Sequence, residues 1–240
     1  MKERPITDVP KAIMAALAVA LLLQIGTRVL QGPPSAGASD LKSAPSATAL
    51  RLASFGDPMP VAKLLMLFLQ SFDQQADNRI RYQVMNYDRL TLWLKRILEL
   101  DPGGQYPLLM ASHIYAEVPD KARQRTMLAF ISEAFFTDPE KRWPWLAHAT
   151  YIAKHQLRDL PLARRYAAAI QQHVHGPGIP LWVRQMEAFI LEDMNELEAA
   201  KIMIGGYISS GQVTEPSELR ILEERLKQIE AKLRADEPPR

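Results

Sequence analysis

Two segments of the sequence decide the fold: ILELDP, residues 97–102, and AFFTDP, residues 134–139. Both run from apolar residues into Asp-Pro, an ending that stops a helix because proline cannot continue it. Pro139 follows Pro102 by 37 positions (139 − 102), and bulky and small residues recur at the same offsets after each proline. A period between about 20 and 50 residues is typical of helical repeats. The sequence therefore predicts successive helical hairpins, with a new helix starting at the same distance beyond each proline.

The composition favours an all-α fold and excludes several classes of protein. The chain has 240 residues but only 11 glycines, and no strong alternation of apolar and polar residues indicates a strand. Cysteine is absent, which excludes disulfide scaffolds, thiolate metal sites and thiol catalysis. A formal net charge of +2 is too small to predict a nucleic-acid-binding face.

The N-terminus has the pattern of a membrane anchor. Lys2, Arg4 and Lys11 precede an apolar run over residues 12–23, and residues 12–30 are just long enough to cross a bilayer if Arg28 reaches the far interface. Basic residues before the run favour a cytoplasmic N-terminus. We therefore expect a cytoplasmic tail at 1–11 and a single transmembrane signal-anchor at 12–30, in the inner membrane of a bacterial cell, with the body facing the periplasm or the outside.

A cleaved signal peptide is the alternative to this anchor, because Ala36-Gly37-Ala38 has the small residues that signal cleavage requires. The distance from Leu23 to Ala38, and Arg28 between them, count against export after cleavage near Ala38. The Gly-, Pro-, Ser- and Ala-rich composition after the anchor predicts a flexible linker over residues 31–56.

The remaining residues predict a helical repeat domain at 57–213 and a last helix at 214–236. Residues 60–70 are too short for a second membrane span, so we expect them to be buried between neighbouring helices. Polar residues 73–81 predict a loop. In the last helix, apolar residues recur at spacings of three and four, which predicts a cap on the open end of the repeat; a dimerisation helix is the alternative.

Beyond the two prolines, the recurring positions identify the repeat. Ala134 precedes Pro139 by five positions, as Ile97 precedes Pro102, and His148 matches Ala111. The positions predicted to pack between helices are Leu108, Ala111, Ser112, Tyr115, Ala134, Trp145, Ala149, Ile152, Ala188 and Ala200. Over roughly residues 60–210 the chain resembles the tetratricopeptide-repeat (TPR) family. That resemblance implies an all-α, TPR-like solenoid of helical hairpins, although glycine is missing at the small first-helix position and His148 replaces the usual leucine.

Aromatic residues beside arginines give the candidate binding residues. Trp145 matches a packing position, whereas Trp143 is expected just before the helix, with no packing role, as an exposed anchor for a partner. Tryptophan, tyrosine and arginine are the residue types that dominate the energetics of protein interfaces. The candidate partner-binding residues are Trp143, Tyr106, Trp182, Arg142, Arg165 and Arg184.

No motif in the sequence predicts catalysis or a cofactor. The histidines at 173 and 175 suggest a metal loop, but no cysteine or suitably spaced carboxylate accompanies them, so a helix end is the better interpretation. Phosphate-binding loops and nucleophile elbows are absent from the sequence. We therefore predict no catalytic residue, no metal, no cofactor, and neither a nucleic-acid partner nor a small-molecule substrate.

These expectations together predict a membrane-anchored protein–protein interaction scaffold, or an assembly or chaperone-like accessory factor. Its solenoid would bind a peptide or partner subunit, from among membrane or envelope proteins. A structural accessory subunit of a membrane complex and an exported helical enzyme are the alternatives. An aromatic-lined groove would favour binding, whereas converging carboxylates or histidines in a deep pocket would favour an enzyme.

Overall fold

The computed structural model describes residues 10–30, 41–73, 85–211 and 213–236, and within them it contains α-helices, one π-helical segment and no strand. The all-α prediction is therefore confirmed for these residues. The helices are α1 (Lys11–Leu30), α2 (Ala47–Ala53), α3 (Pro58–Asp73), α4 (Tyr87–Leu100), α5 (Tyr106–Met110), α6 (Lys121–Phe135), α7 (Pro139–His155), α8 (Leu160–His173), α9 (Leu181–Asp193), α10 (Leu197–Ser209) and α11 (Pro216–Asp236); the π-helical segment, Ala111–Tyr115, directly follows α5.

The chain divides into two compact units, Met1–Asp40 and Leu41–Arg240. The first contains α1, whose side chains from Lys11 to Leu23 are exposed. In the described part of the chain, no single helix combines the length and apolar character of a membrane span; α2 and α3 together would, but their axes differ by 115°. The predicted cytoplasmic tail, up to residue 9, and residues 31–40 of the predicted linker lie outside the described residues.

The second unit is built from helices that pack against their neighbours in sequence. From α6 to α11 each helix contacts the next one along the chain, and α3 packs on α4, which also contacts α6. Side-chain caps fix several helix starts: Asn86, Asp120 and Asp159 each accept hydrogen bonds from backbone N–H groups in the first turn of α4, α6 and α8. From α6 to α11, the order of the helices in the sequence is thus also the order in which they pack.

The apolar core of the second unit forms two clusters. The larger one extends from Leu41 to Ile190, and the smaller one contains buried residues of α9, α10 and α11, from Ala188 to Ile229. The apolar residues that recur along α11 lie on the side that packs against α10. Leu222 and Ile229 are buried there, and Leu219, Leu226 and Leu233 are partly buried.

The two Asp-Pro segments end helices as predicted but start the next helices differently. α4 ends at Leu100 and α6 at Phe135, just before each Asp-Pro. However, Pro139 is itself the first residue of α7, whereas α5 begins four residues after Pro102. The prediction that a new helix starts at the same distance beyond each proline is therefore wrong. The reason is the pair Gly103-Gly104, which continues a turn after Pro102, while helix-forming Glu140 and Lys141 follow Pro139.

Two predictions at the start of the second unit need correction. The linker was predicted to reach residue 56, but part of it belongs to the folded second unit: Leu41 and Leu50 are buried, the Leu41 carbonyl accepts a hydrogen bond from Arg89 Nη1 (2.8 Å), and Ser46 caps α2. Residues 60–70, within α3, were expected to be buried between helices, yet Leu64 and Leu67 are exposed. The region predicted as a polar loop lies largely outside the described residues.

Candidate functional site

An aromatic groove lies between the π-helical segment, α7 and α9. Its volume is about 580 Å³. It is called the Trp groove here and is lined by His113, Trp143, Pro144, Trp145, Ala147, His148, Tyr151, Trp182 and Met186. The groove brings together Trp143 and Trp182, two of the predicted binding residues that lie 39 positions apart in the sequence (182 − 143).

Helix α7 forms the floor of the Trp groove because of the spacing of its residues. Trp143, Ala147 and Tyr151 follow one another at intervals of four, so they lie on one face of the helix. Trp143 was expected before the helix, but α7 begins at Pro139 and includes it. Its side chain is half-buried against the core, and so is that of Trp145, whose indole Nε1 donates to Gln105 Oε1 at 2.7 Å. The prediction that Trp143 has no packing role is therefore wrong.

The tryptophans of α7 and α9 meet across the groove. The rings of Trp143 and Trp182 are edge-to-face, with centroids 6.0 Å apart and planes at 76°. This geometry is one of the favoured arrangements of aromatic pairs. Neither indole N–H donates a hydrogen bond to another of the described residues, and both side chains remain partly exposed. The pair thus offers apolar ring surface together with two available donors.

The π-helical segment forms the opposite wall. Ala116 N donates to Ala111 O at 2.9 Å, five residues back, so this turn holds one residue more than a regular helix. Ala111, Ser112 and Tyr115 face the core, while His113 is exposed at the groove. The Ser112 Oγ lies 2.7 Å from His113 Nδ1. π-Helical turns are frequent at functional sites.

Histidine and tyrosine rings form a continuous stack along the groove. His113 stacks on His148 with centroids 4.0 Å apart, and Tyr151 contacts His148 at 6.0 Å and His155 at 4.6 Å. Trp145 meets His113 edge-on at 6.0 Å. The groove therefore presents ring faces and edges to a ligand.

The electrostatics of the groove favour an uncharged His148. Burial lowers its pKa, and the neighbouring His113 lowers it further, whereas Glu117 acts in the opposite direction. Glu117 Oε1 lies 3.4 Å from His148 Nε2, an electrostatic contact rather than a well-formed hydrogen bond. The other carboxylate oxygen of Glu117 accepts a hydrogen bond from Gln156 at 2.6 Å. A partly buried imidazole with a lowered pKa keeps the groove largely apolar.

The other four candidate binding residues lie outside the Trp groove. Tyr106 is exposed at the start of α5 and its hydroxyl accepts a hydrogen bond from Gln70. Arg165 lines a separate groove of about 510 Å³ between α6 and α8. Arg184, in α9, is partly buried, and its carbonyl accepts a hydrogen bond from Tyr207 at 2.7 Å.

Arg142 has a different environment from the one expected. Only 4% of it is exposed, and its guanidinium donates to the carbonyls of Ala134 and Pro102, each at 2.7 Å, and to the Thr137 hydroxyl. It therefore joins the ends of α4 and α6 to the start of α7. The side chain is committed within the protein and is not available to a partner, which corrects the prediction for this residue.

The residues predicted to pack between helices are nearly all in the core. Nine of the ten are buried; Trp145, which lines the Trp groove, is half-buried. Four groove residues were not selected from the sequence as binding residues: His113, His148, Tyr151 and Met186. The spacing of His148, Tyr151 and His155 at three and four was the available signal.

No metal-binding cluster occurs among the described residues, where no three His, Cys, Asp or Glu side chains converge. The backbone N–H groups of His175 and Gly176 donate to the Glu140 carboxylate, with His175 N 2.8 Å from Oε1. The side chains of His173 and His175 contact backbone carbonyls of α8. The loop at 173–178 is thus a helix end held by Glu140.

Comparison of the chain with protein-family models, curated proteins and solved structures finds no match. The resemblance to the TPR family therefore stays a prediction, and the function must be argued from the site.

Proposed function

We propose that the protein is a membrane-anchored, non-enzymatic interaction module whose helical body binds an extended peptide segment or partner subunit in the Trp groove. The observation that carries the proposal is the edge-to-face pair of Trp143 and Trp182 at the groove surface. Partly exposed tryptophans beside apolar side chains are the residues that contribute most to protein interfaces. An extended peptide has free backbone carbonyls, which the two available indole N–H groups suit.

The chemistry of the groove supports binding over catalysis. The Trp groove combines stacked rings and a methionine with a histidine whose pKa is lowered by burial. The hydroxyl of Ser112 lies 2.7 Å from His113 Nδ1, the arrangement of a nucleophile and its base, but Ser112 has no exposed surface and so cannot reach a ligand in the groove. An exported helical enzyme therefore remains the weaker of the function classes.

A solenoid arrangement of the body is the second part of the proposal. It is supported by the consecutive packing of α6 to α11 and by side-chain contacts between alternate helices. Trp143 contacts Trp182 from α7 to α9, Phe135 contacts His173 from α6 to α8, and Gln171 bonds Tyr207 from α8 to α10. In a helical-hairpin solenoid, alternate helices line the same face. The Trp groove would then lie on the face formed by α5, α7 and α9.

Membrane attachment through residues 12–30 is the third part. The apolar run of α1, its exposed leucines and the basic residues before it support a signal-anchor with the body outside the cytoplasm. Tethering would raise the effective concentration of the groove at membrane or envelope partners without new contacts. A structural accessory subunit is the second candidate function, because α2 and α3 expose apolar side chains.

The test is affinity purification of the full-length protein from membranes in mild detergent, followed by mass spectrometry. The wild type is compared with Trp182→Ala and with a matched control, Ile202→Ala, which removes an exposed apolar side chain outside the groove. We expect partners that are retained by Ile202→Ala and lost with Trp182→Ala. A few partners in fixed ratio indicate a scaffold or subunit; a broad set of unfolded exported chains indicates a chaperone.

The same preparation tests the anchor. Carbonate-resistant membrane association, with the body open to protease only from the outside, supports the proposed topology. Soluble release of a chain that begins near residue 39 supports the cleaved signal and contradicts the anchor. For the groove, the contradicting results are partners that bind the wild type, Trp182→Ala and Ile202→Ala equally, or the absence of a partner from all three proteins.

A further inference from the structure

Helix α3 is apolar on two faces. Ala62, Met66 and Leu69 are buried against the rest of the unit, whereas Leu64 and Leu67 are 64% and 61% exposed. Leu64 and Leu67 are three residues apart and therefore neighbours on the outer face. A helix at the surface of a soluble domain normally has a polar outer face, while one that is apolar all round lies in an apolar environment. The apolar side chains on the outer face of α3 are thus exposed, although a helix of this composition is expected to be covered by apolar surroundings.

The turn between α2 and α3 projects more apolar side chains. The two helix axes differ by 115°, and at the turn Phe55 is 98% exposed with a φ of 47°. Leu52 is 75% exposed and Met59 about half exposed. Positive φ is uncommon for a bulky residue. Hydrogen bonds on both sides fix this conformation: Phe55 N donates to Leu52 O at 3.3 Å and Asp57 N to Ser54 O at 2.9 Å.

The charges around this turn are mainly positive. Between residues 41 and 71 the charged side chains are Lys42, Arg51, Lys63 and Asp57. The Asp57 carboxylate accepts a hydrogen bond from Met59 N at 3.2 Å at the start of α3. None of the three cations forms an ion pair with another described residue. Lys63 precedes Leu67 by one helical turn, so its charged end can reach past the apolar face.

We propose that this apolar corner (Leu52, Phe55, Met59, Leu64 and Leu67) is a membrane-contact surface that inserts into the headgroup and outer acyl region of an anionic bilayer. Apolar side chains flanked by lysine and arginine are the composition of helices that lie in the membrane interface. Basic residues near the surface add attraction to anionic lipids. The inference rests on the anchored topology proposed above.

The geometry favours a bilayer over a protein partner at this surface. Phe55 has 98% of its surface exposed, whereas residues that dominate protein interfaces sit in packed pockets. A fluid apolar phase accepts a projecting side chain without a complementary cavity. Position in the sequence also favours the bilayer, because only ten residues lie between Leu30, at the end of the proposed anchor, and Leu41.

The test uses the full chain, whose lack of cysteine allows labelling at a single chosen position. Phe55→Cys and Leu67→Cys are each labelled with an environment-sensitive fluorophore and reconstituted into vesicles of phosphatidylcholine and phosphatidylglycerol. Ile202→Cys, in α10 and 72% exposed, is the control. We expect nitroxide-labelled lipids to quench the labels at 55 and 67 several-fold more strongly than the label at 202, and iodide in the buffer to quench in the reverse order.

Three results would contradict the proposal in different ways. Labels at 55 and 67 that are as open to iodide as the label at 202, in chains that float with the vesicles, overturn the membrane contact and leave the anchor intact. Labels shielded from both iodide and lipid quenchers assign the surface to a protein, a second copy included. Chains that do not float with vesicles overturn both the anchor and this inference.

Discussion

The imidazole rings of His113 and His148 are stacked with their centroids 4.0 Å apart and their planes at 12°. One ring belongs to the π-helical segment and the other to α7, so this contact joins the wall of the Trp groove to its floor. Two protonated imidazoles at this distance would repel each other. This repulsion disfavours a charge on His148, whereas the carboxylate of the nearby Glu117 favours one.

Acidification should destabilise the protein through His148. The pKa of His148 is lowered in the folded state by burial and by His113, so below the ordinary histidine pKa of 6.5 the unfolded chain binds the proton first. Stability should fall as the pH decreases from 6.5 to the lower pKa of the folded state, and then level off. The measurement is the unfolding midpoint in urea at pH 7.5 and at lower pH, for wild type and His148→Asn.

The asparagine variant is the control for the other titrating groups. We expect its midpoint to depend less on pH than that of the wild type over this range. A His148 ring that titrates above pH 6.5 by NMR in the folded protein would contradict the prediction, because the stability would then rise on acidification.

Replacement of Arg142 by methionine should destabilise the body strongly. The change leaves the carbonyls of Ala134 and Pro102 without their buried donor, and lost hydrogen bonds to a charged group cost about 1.5–3 kcal/mol each. We expect a loss of about 3 kcal/mol or more in the free energy of urea unfolding. Arg165→Met, at an exposed position, is the matched control and should change it by no more than about 0.5 kcal/mol. Equal effects of the two variants would refute this role for Arg142.

Tyr207 should contribute to stability through its hydroxyl. It donates to Arg184 O at 2.7 Å and accepts from Gln171 Nε2 at 2.8 Å, which links α8, α9 and α10. Tyr207→Phe should therefore cost about 1 kcal/mol in unfolding experiments. Burial raises the pKa of both Tyr207 and Tyr166 to about 12.

An ultraviolet titration checks the tyrosine environments directly. In the folded protein Tyr166 and Tyr207 should both ionise late, and Tyr166→Phe and Tyr207→Phe should each remove one late-ionising tyrosine. The raised pKa also means that this stabilisation is complete below pH 10 and is lost as the pH rises toward 12. Ionisation of every tyrosine near pH 10 in folded protein would disprove the burial of these hydroxyls.

Enlargement of Ala149 should disturb helix packing. The residue is fully buried in α7, at a position that the sequence predicts to pack between helices. Ala149→Leu should cost about 2 kcal/mol of unfolding free energy, because overpacking forces the neighbouring helices apart. Ala129→Leu, at an exposed position of α6, is the control and should be nearly neutral. A neutral Ala149→Leu would show that the helices can separate at this point without cost.

Helix endings could be predicted from the sequence where proline chemistry fixes them, as at Pro102 and Pro139. The start of the following helices could not, because the glycine pair after Pro102 changes the local geometry. The short helix α2 was also missed: its seven residues, ATALRLA, are too few for a strong periodicity, and the segment before it is held by a distant contact, the hydrogen bond from Trp93 Nε1 to Lys42 O at 2.8 Å. Tertiary contacts decide such segments.

The Trp groove was predictable only in part. Trp143 and Trp182 were recognised one by one from their residue type, but their meeting depends on how α7 packs relative to α9. The extra residue in the π-helical segment leaves no signal in sequence periodicity, so the exposure of His113 was not foreseen. Arg142 was predicted to be an interface residue from its residue type alone. Its hydrogen-bond acceptors are backbone carbonyls, one of them 40 positions away, and neither composition nor spacing reveals them.

The division of the core into two clusters also governs how the chain opens. α9 contributes Val183 and Ile190 to the larger cluster and Ala188 and Leu191 to the smaller one, whereas α10, α11 and Val213 between them supply the rest of the smaller one. We therefore expect these last two helices to open as a cooperative unit while the larger cluster stays closed. Their backbone amides would then exchange with deuterium through this partial opening, faster than those of α7, whose exposure requires the larger cluster to come apart.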